Sequence, residues 1–271
     1  MALDPVDSQN LALLTEEVGR LSNTVDELLE MIKSSGGQGE DVAAGIAAHN
    51  NNADVHAALL AKMGVVTEFV ASGAFTAAAG AKYLVEVWAG GGPGGSAKGA
   101  AGAYTAVAGG GSSGGYVDAV ISFANEETVP VIIGAGGTST LSNNTPGGDS
   151  SFGSYLTAKG GLSGNSVTNS ANQVLTTGGA APSGPGSNPG SPAILYNVSS
   201  LSTSNGGSGH GGASKVGQPG ALVSAGPSLA GSAGRNATGY NAGGGGAAAG
   251  GNNSYTGGNG APGLVRITRI A

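Results

Sequence analysis

Cysteine is absent from the 271 residues, so no disulfide framework, thiolate metal site or cysteine nucleophile is available. Charge is scarce at 10%, while 39% of residues are hydrophobic, so the highly charged, weakly apolar composition that drives disorder is not present. No run of 18 apolar residues occurs, and residues 1–10 have neither a basic start nor an apolar stretch; neither a membrane span nor a secretion signal is expected. From Ser150 to Ala271 there is no Asp or Glu. A glycosidase needs two carboxylates flanking the scissile bond, and Glu68, Glu86, Asp118, Glu126, Glu127 and Asp149 all lie in the first half of the segment that follows residue 64. His210 is the one histidine of that segment, so a Ser-His-Asp constellation needs Asp118 or Asp149 from far along the chain.

Charge is also uneven. Residues 1–64 hold ten Asp/Glu against three Lys/Arg, and residues 65–271 hold six against seven, so the net charge of −6 belongs to the first segment. The second segment has no cluster of basic residues, which argues against nucleic acid as a partner.

What is plentiful is glycine: 55 residues, which with 11 prolines make about a quarter of the chain. Composition of that kind defaults to disorder unless a pattern opposes it. Two patterns do. The first is a heptad seam, Leu11, Leu14, Val18, Leu21, Val25, Leu28 and Ile32, with Val and Ile at a positions and Leu at d. It predicts a self-associating helix over 1–36, stopped at Ser34, Ser35, Gly36 and Gly37. An isolated helix of this length is marginal in water, so the alternative to a coiled coil is an amphipathic helix packed on its own domain. Val and Ile at a favour a dimer, whereas Leu29 and Met31 widen the apolar face toward a trimer. Residues 37–64 read as a linker and short helical collar; His49 and His56, seven apart, are placed to cap or to meet on a three-fold axis, and no metal or cofactor is assigned to them.

The second pattern is a set of strand-like runs at the borders of the glycine tracts: 83–88, 115–121, 128–133 and the alternating 263–270. Between them glycine offers no side chain to bury and loses the most backbone entropy on folding. Extended chains of the polyproline-II type have no internal hydrogen bonds, so every N–H and C=O must be met by a neighbouring chain, and missing Cβ atoms allow that approach. No Gly-X-Y period runs through the tracts, which excludes collagen. The glycine tracts match neither GxxxxGK[ST] nor GxGxxG between a strand and a helix, and are read as structural.

The order of motifs resembles the glycine-rich domain at the C-termini of tailed-bacteriophage tail fibres. The motifs are Val85-Glu86-Val87-Trp88 running into glycine, 129–137, 148–153 followed by 158–161, and 260–267. His49-Asn50 through Val55-His56 resembles the segment between shaft and head in such fibres, and the domain is more loosely similar to polyglycine-II tip adhesins. The resemblance implies a mainly β fold with polyglycine-II-like strands over 65–271, preceded by the coiled coil, in an elongated homo-oligomer. It also implies a virion component assembled in the host cytoplasm, joined through its N-terminus to other tail or baseplate proteins and attached to a bacterial polysaccharide or outer-membrane protein. The alternatives are a purely structural fibre or collar protein and a surface-polysaccharide depolymerase. Candidate binding residues come from the Asn-, Ser- and Tyr-rich segments between glycine tracts: Asn143, Asn144, Tyr196, Asn197, Arg235, Asn236, Tyr240, Asn241, Asn252, Asn253 and Tyr255. Such segments also serve as plain solvated turns.

Overall fold

The computed structural model describes residues 64–99, 105–168, 178–180, 190–191, 194–196, 205–226 and 230–270, together with eight positions between 18 and 30. Two compact units are present, Met1–Ala61 and Lys62–Ala271. In the first, Val18, Gly19, Ser22, Asn23, Val25, Asp26, Glu27 and Glu30 are helical. Val18 is 62% exposed in the single chain. Leu11, Leu14, Leu21, Leu28 and Ile32 lie outside the described residues, as do His49 and His56. No helix among the described residues is long and apolar enough to cross a membrane.

The second unit is mainly β. It opens with β1 (Val66–Phe69), β2 (Gly73–Ala77) and β3 (Lys82–Trp88), followed by the short β4 (Ala97–Lys98) and β5 (Thr105–Val107). Next come β6 (Tyr116–Ser122), β7 (Glu127–Ile132), β8 (Ser150–Phe152) and β9 (Leu156–Ala158). Two- and three-residue strands follow: β10 (Val167–Thr168), β11 (Ile194–Tyr196), β12 (Asn205–Gly207), β13 (Gly217–Gln218), β14 (Ser224–Ala225), β15 (Gly231–Ser232), β16 (Thr238–Gly239), β17 (Ala248–Gly250) and β18 (Ser254–Tyr255). The last strand is β19 (Leu264–Arg269).

The longer strands form a sandwich of two antiparallel sheets, ordered β1-β19-β3-β6 and β2-β7-β8-β9. The four strand-like runs of the sequence are β3, β6, β7 and β19, and β19 pairs on both sides, with β1 and with β3. Alternation supplies the core: Tyr83, Val85 and Val87 of β3 are buried while Lys82 is exposed. All four phenylalanines of the chain pack in or against this core, with Phe75 edge-on to Tyr83 at 5.1 Å and 86°.

From the sandwich the chain passes into glycine runs held by a different rule. Along 90–95, Gly91 and Gly94 donate to the carbonyls of Ala261 and Gly258, while Gly92 and Gly95 donate to those of Ser112 and Gly109. The same neighbour returns every third residue, as an extended chain with three residues per turn requires. Gly90 donates to Gly148, and Pro93, without an N–H, donates to none. The carbonyls of this run accept from Gly137, from Gly161 and Gly164, and from Gly244 and Ala247. Residues 90–95 are thus bonded to six other runs, and residues 109–115 repeat the pattern, with Gly109, Ser112 and Gly115 donating to Asn165, Leu162 and Lys159. Residues 243–247 form the third member of this centre, since Gly111 donates to Gly244 and Gly244 to Gly92.

Glycine is needed here for close approach. A Cβ on Gly91 would lie 2.0 Å from the Ala242 carbonyl oxygen, and one on Gly94 2.0 Å from that of Gly245. Beyond the glycine, the runs regain small side chains: Ala97, Ala106, Ala108, Val167, Ala247 and Ala249 form one cluster, and Val107, Val223, Ala225 and Ala248 another. These lie on, or one residue beside, the strands of the sheets β10-β4-β18, β15-β17-β5 and β11-β12-β14. The unit therefore runs from a sandwich through a glycine lattice to an outer tier of alanine and valine.

Candidate functional site

Two of the candidate segments meet at the outer tier. Thr138 and Thr145 form an antiparallel bridge, and the turn between them is tied by its own side chains. The Asn144 carboxamide oxygen accepts from the Ser139 hydroxyl and the Thr140 N–H, both at 3.1 Å, and its nitrogen donates to the Gly94 carbonyl and Ser166 Oγ, both at 3.3 Å. Asn143 N–H donates to Thr140 Oγ1 at 2.9 Å, and that hydroxyl donates to the Asn143 carbonyl. Asn144 is consumed as a brace, whereas Leu141 is 53% exposed and Asn143 is exposed beside it.

Ser96 joins this turn to the second segment. Its hydroxyl donates to the Thr140 carbonyl at 2.7 Å, lies 3.1 Å from Ser139 Oγ, and accepts from the Gly257 N–H at 3.4 Å. Gly257 follows β18, which pairs with β4 through Ser254↔Lys98 and Tyr255↔Ala97. Gly251, at φ 57°, makes the turn from β17 to β18, and Asn253 closes it by donating from Nδ2 to the Gly250 carbonyl at 2.8 Å. Asn252 and Asn253 are exposed, and Tyr255 is half-buried because its ring packs on the alanine cluster. Ser96 is 3% exposed, and in the sequence it reads only as one more small residue after a glycine tract.

The remaining candidates lie elsewhere. Tyr196 is in β11, opposite Asn205, and Asn197 lies outside the described residues. Arg235 and Asn236 are exposed along the lattice; the Arg235 carbonyl accepts from Gly245 and Asn236 Oδ1 accepts from the Asn259 N–H. Tyr240 is half-buried and its N–H donates to Val216. Asn241 departs from the expectation of a surface contact. It is 1% exposed, sits at φ 67°, and donates from Nδ2 to the carbonyls of Ala89 at 3.0 Å and Gly115 at 3.2 Å. Its amide fastens the lattice where two runs meet the sandwich, and it offers nothing to a ligand.

The carboxylates are mostly engaged within the fold. Asp149 pairs with Lys159 Nζ at 2.7 Å and accepts from the Gly160 N–H at 2.8 Å. The Lys159 bond holds the Asp149 carboxyl below its ordinary range, against an opposing contribution from burial. Glu68 pairs with Arg266, and Glu127 accepts from the Tyr155 hydroxyl. Glu86 and Asp118 face each other across β3 and β6 on the outward side of the first sheet. Tyr116 donates to Glu86 at 3.1 Å, and burial together with these two carboxylates pushes its hydroxyl pKa well up. Asp118 is in one sheet and Asp149 beside the other. His210 Nε2 lies 3.0 Å from Ser191 Oγ and Nδ1 3.2 Å from the Gly211 carbonyl, with no carboxylate among these contacts. Among the described residues no group of three or more His, Asp or Glu gathers as a metal site.

At the sandwich end of the lattice, the turn 213–218 and β16 enclose an open groove of about 360 Å3. Lys215 lines it and carries its ammonium 5.6 Å above the Tyr116 ring. The sequence holds one signal for this place: Lys215 is the only Lys, Arg, Asp or Glu between residues 160 and 234.

The second unit is thus a glycine-rich β domain, a sandwich that continues into a hydrogen-bonded glycine lattice. The chain belongs to the glycine-rich domain family, whose model matches residues 70–269. None of the curated proteins matches it.

Proposed function

We propose that this chain is a tail-fibre or receptor-binding component of a bacteriophage virion, attaching it to a bacterial surface receptor through turns of the glycine-rich domain and without catalysis. The observation that carries this reading is the lattice with its braced outer turns. Each central run is bonded on six sides, and Asn144 and Ser96 fix the turn that exposes Leu141 and Asn143. A scaffold that orders its loops before binding lowers the entropy cost of recognition. The three-residue hydrogen-bond period supports a polyglycine-II description of the domain, and the seam from Leu11 to Ile32 supports a homotrimer, or a dimer, that joins other tail or baseplate proteins. The receptor is a surface polysaccharide or an outer-membrane protein.

A virion carrying Leu141→Ser, Asn143→Ala and Asn252→Ala tests this. Contacts at the centre of an interface are worth about tenfold or more in affinity each. Adsorption to the host should fall by that order while the melting temperature of the purified chain stays the same. Unchanged adsorption defeats the reading in favour of a purely structural fibre protein. That second reading draws support from the inward use of Asn144, Asn236, Asn241 and Asn253.

A further inference from the structure

The groove at the sandwich end has fixed walls. β13 and β16 pair antiparallel through Gly217↔Gly239 and Gln218↔Thr238, Ser214 Oγ accepts from the Val216 N–H at 3.1 Å, and the Val216 carbonyl accepts from Tyr240 at 3.0 Å. Both glycines are required by this ladder. A Cβ on Gly217 would meet the Tyr240 carbonyl oxygen at 2.3 Å, and Gly239 has φ 73° and would meet Gly217 Cα at 2.8 Å. A side chain at either place would break the ladder that forms the wall.

The lining is polar and carries one charge. Gln218 offers a donor and an acceptor, Ser214 and Thr238 offer hydroxyls, and Lys215 offers an ammonium. Among the described residues no carboxylate lines it. Next to it, however, stands Tyr116, which Lys215 overlies and which donates to Glu86, itself facing Asp118. Glu86 and Asp118 oppose the charge of Lys215, so the groove has no cluster of cations that would single out an anion. An acidic group finds a single lysine there, while hydroxyl groups find both donors and acceptors along the whole lining. The volume is at the small end of the roughly 300–1,000 Å3 usual for small-ligand sites.

We infer that this groove binds a neutral, hydroxyl-rich saccharide unit, with Gln218 and Lys215 as its principal hydrogen-bonding side chains. The site is separate from the outer turns and does not depend on their binding a receptor. It is tested on the full chain by saturation-transfer difference NMR with millimolar methyl glycosides of glucose, galactose and N-acetylglucosamine, and with methyl glucuronide as the acidic counterpart. At least one neutral glycoside should give transfer, and methyl glucuronide should give no more than its neutral counterpart. Gln218→Ala and Lys215→Ala, both at exposed positions, should each weaken binding about tenfold with no change in melting temperature. Thr238→Trp, which fills the groove, should abolish it, and the variant altered at Leu141, Asn143 and Asn252 should keep it. Absence of transfer from every neutral glycoside, preference for the glucuronide, or transfer unaffected by the three groove variants overturns the inference.

Discussion

Phe152 and Gly94 are both buried, yet they hold the unit together by opposite means. Phe152 fills space between two sheets, and its contribution is apolar surface removed from water together with ring contacts to Phe75 and Tyr155. Gly94 fills almost no space. Its contribution is to leave room for the Gly245 carbonyl where a Cβ would stand, while its N–H reaches Gly258 and its carbonyl accepts from Asn144. In the sandwich, side chains choose which strands are adjacent; in the lattice their absence does. A sandwich core tolerates repacking by side-chain movement, whereas the atoms against a lattice glycine are main-chain carbonyls that belong to someone else's hydrogen bond.

The largest expected effect follows from that contrast. Gly94→Ala places a methyl 2.0 Å from the Gly245 carbonyl oxygen, with no side chain to rotate away. It should cost more than about 4 kcal/mol or prevent folding. Gly251→Ala, where nothing lies within 4 Å and only the φ of 57° is at issue, should cost about 1–2 kcal/mol. Urea unfolding of the two variants checks the pair, and equal losses would mean that the lattice is looser than its hydrogen bonds imply. Phe152→Ala comes next. It removes a fully buried ring from the sandwich and should cost about 3–5 kcal/mol, with the loss coming from the cavity and not from the lattice hydrogen bonds. Amide exchange at Gly91 and Gly92 that stays slow in this variant under native conditions would separate the two regions; uniform acceleration would join them into one cooperative unit.

The smallest effect is electrostatic and sits at the border between the regions. Asp149 has its pKa lowered by Lys159, so its pairing stabilises the fold above the ordinary carboxylate pKa of about 4 and is lost as pH falls through the lower folded value. Both side chains are about half exposed, which limits the pair to about 0.5–1 kcal/mol. Asp149→Asn should lower stability by that amount near neutral pH and by less in acid. A variant equally destabilised at both pH values would assign the loss to the fit of the new side chain instead of the charge.

The sandwich was legible because its strands carry the ordinary signal. Val85 and Val87 alternate with Glu86, and Val265 and Ile267 alternate with Arg266, so one face is apolar whatever the partner. The lattice was legible only as a need for close packing, since runs such as 90–95 and 243–246 look alike and nothing in them says which run neighbours which. The candidate contacts fared by position. Asn143 and Asn252 stand at exposed turns, but Asn144 and Asn241, of the same residue type and adjacent to other candidates, turn inward to carbonyls of distant runs. An asparagine that recognises and one that braces have the same local sequence. Ser96 and the groove around Lys215 escaped notice because their partners, Thr140 and Gly257 for one and Tyr116 and Thr238 for the other, are far away along the chain.

By itself the sequence determined that the second unit is β-rich, that its glycine tracts need backbone partners, and that carboxylate chemistry is confined to its first half. These follow from alternation, composition and the absence of a residue type, all of which are local. Tertiary structure alone decided that residues 90–95, 109–115 and 243–247 lie at the centre of the lattice, and which turns meet at Ser96. Backbone hydrogen bonds are the same at every residue, so their pairing is set by where the whole chain runs.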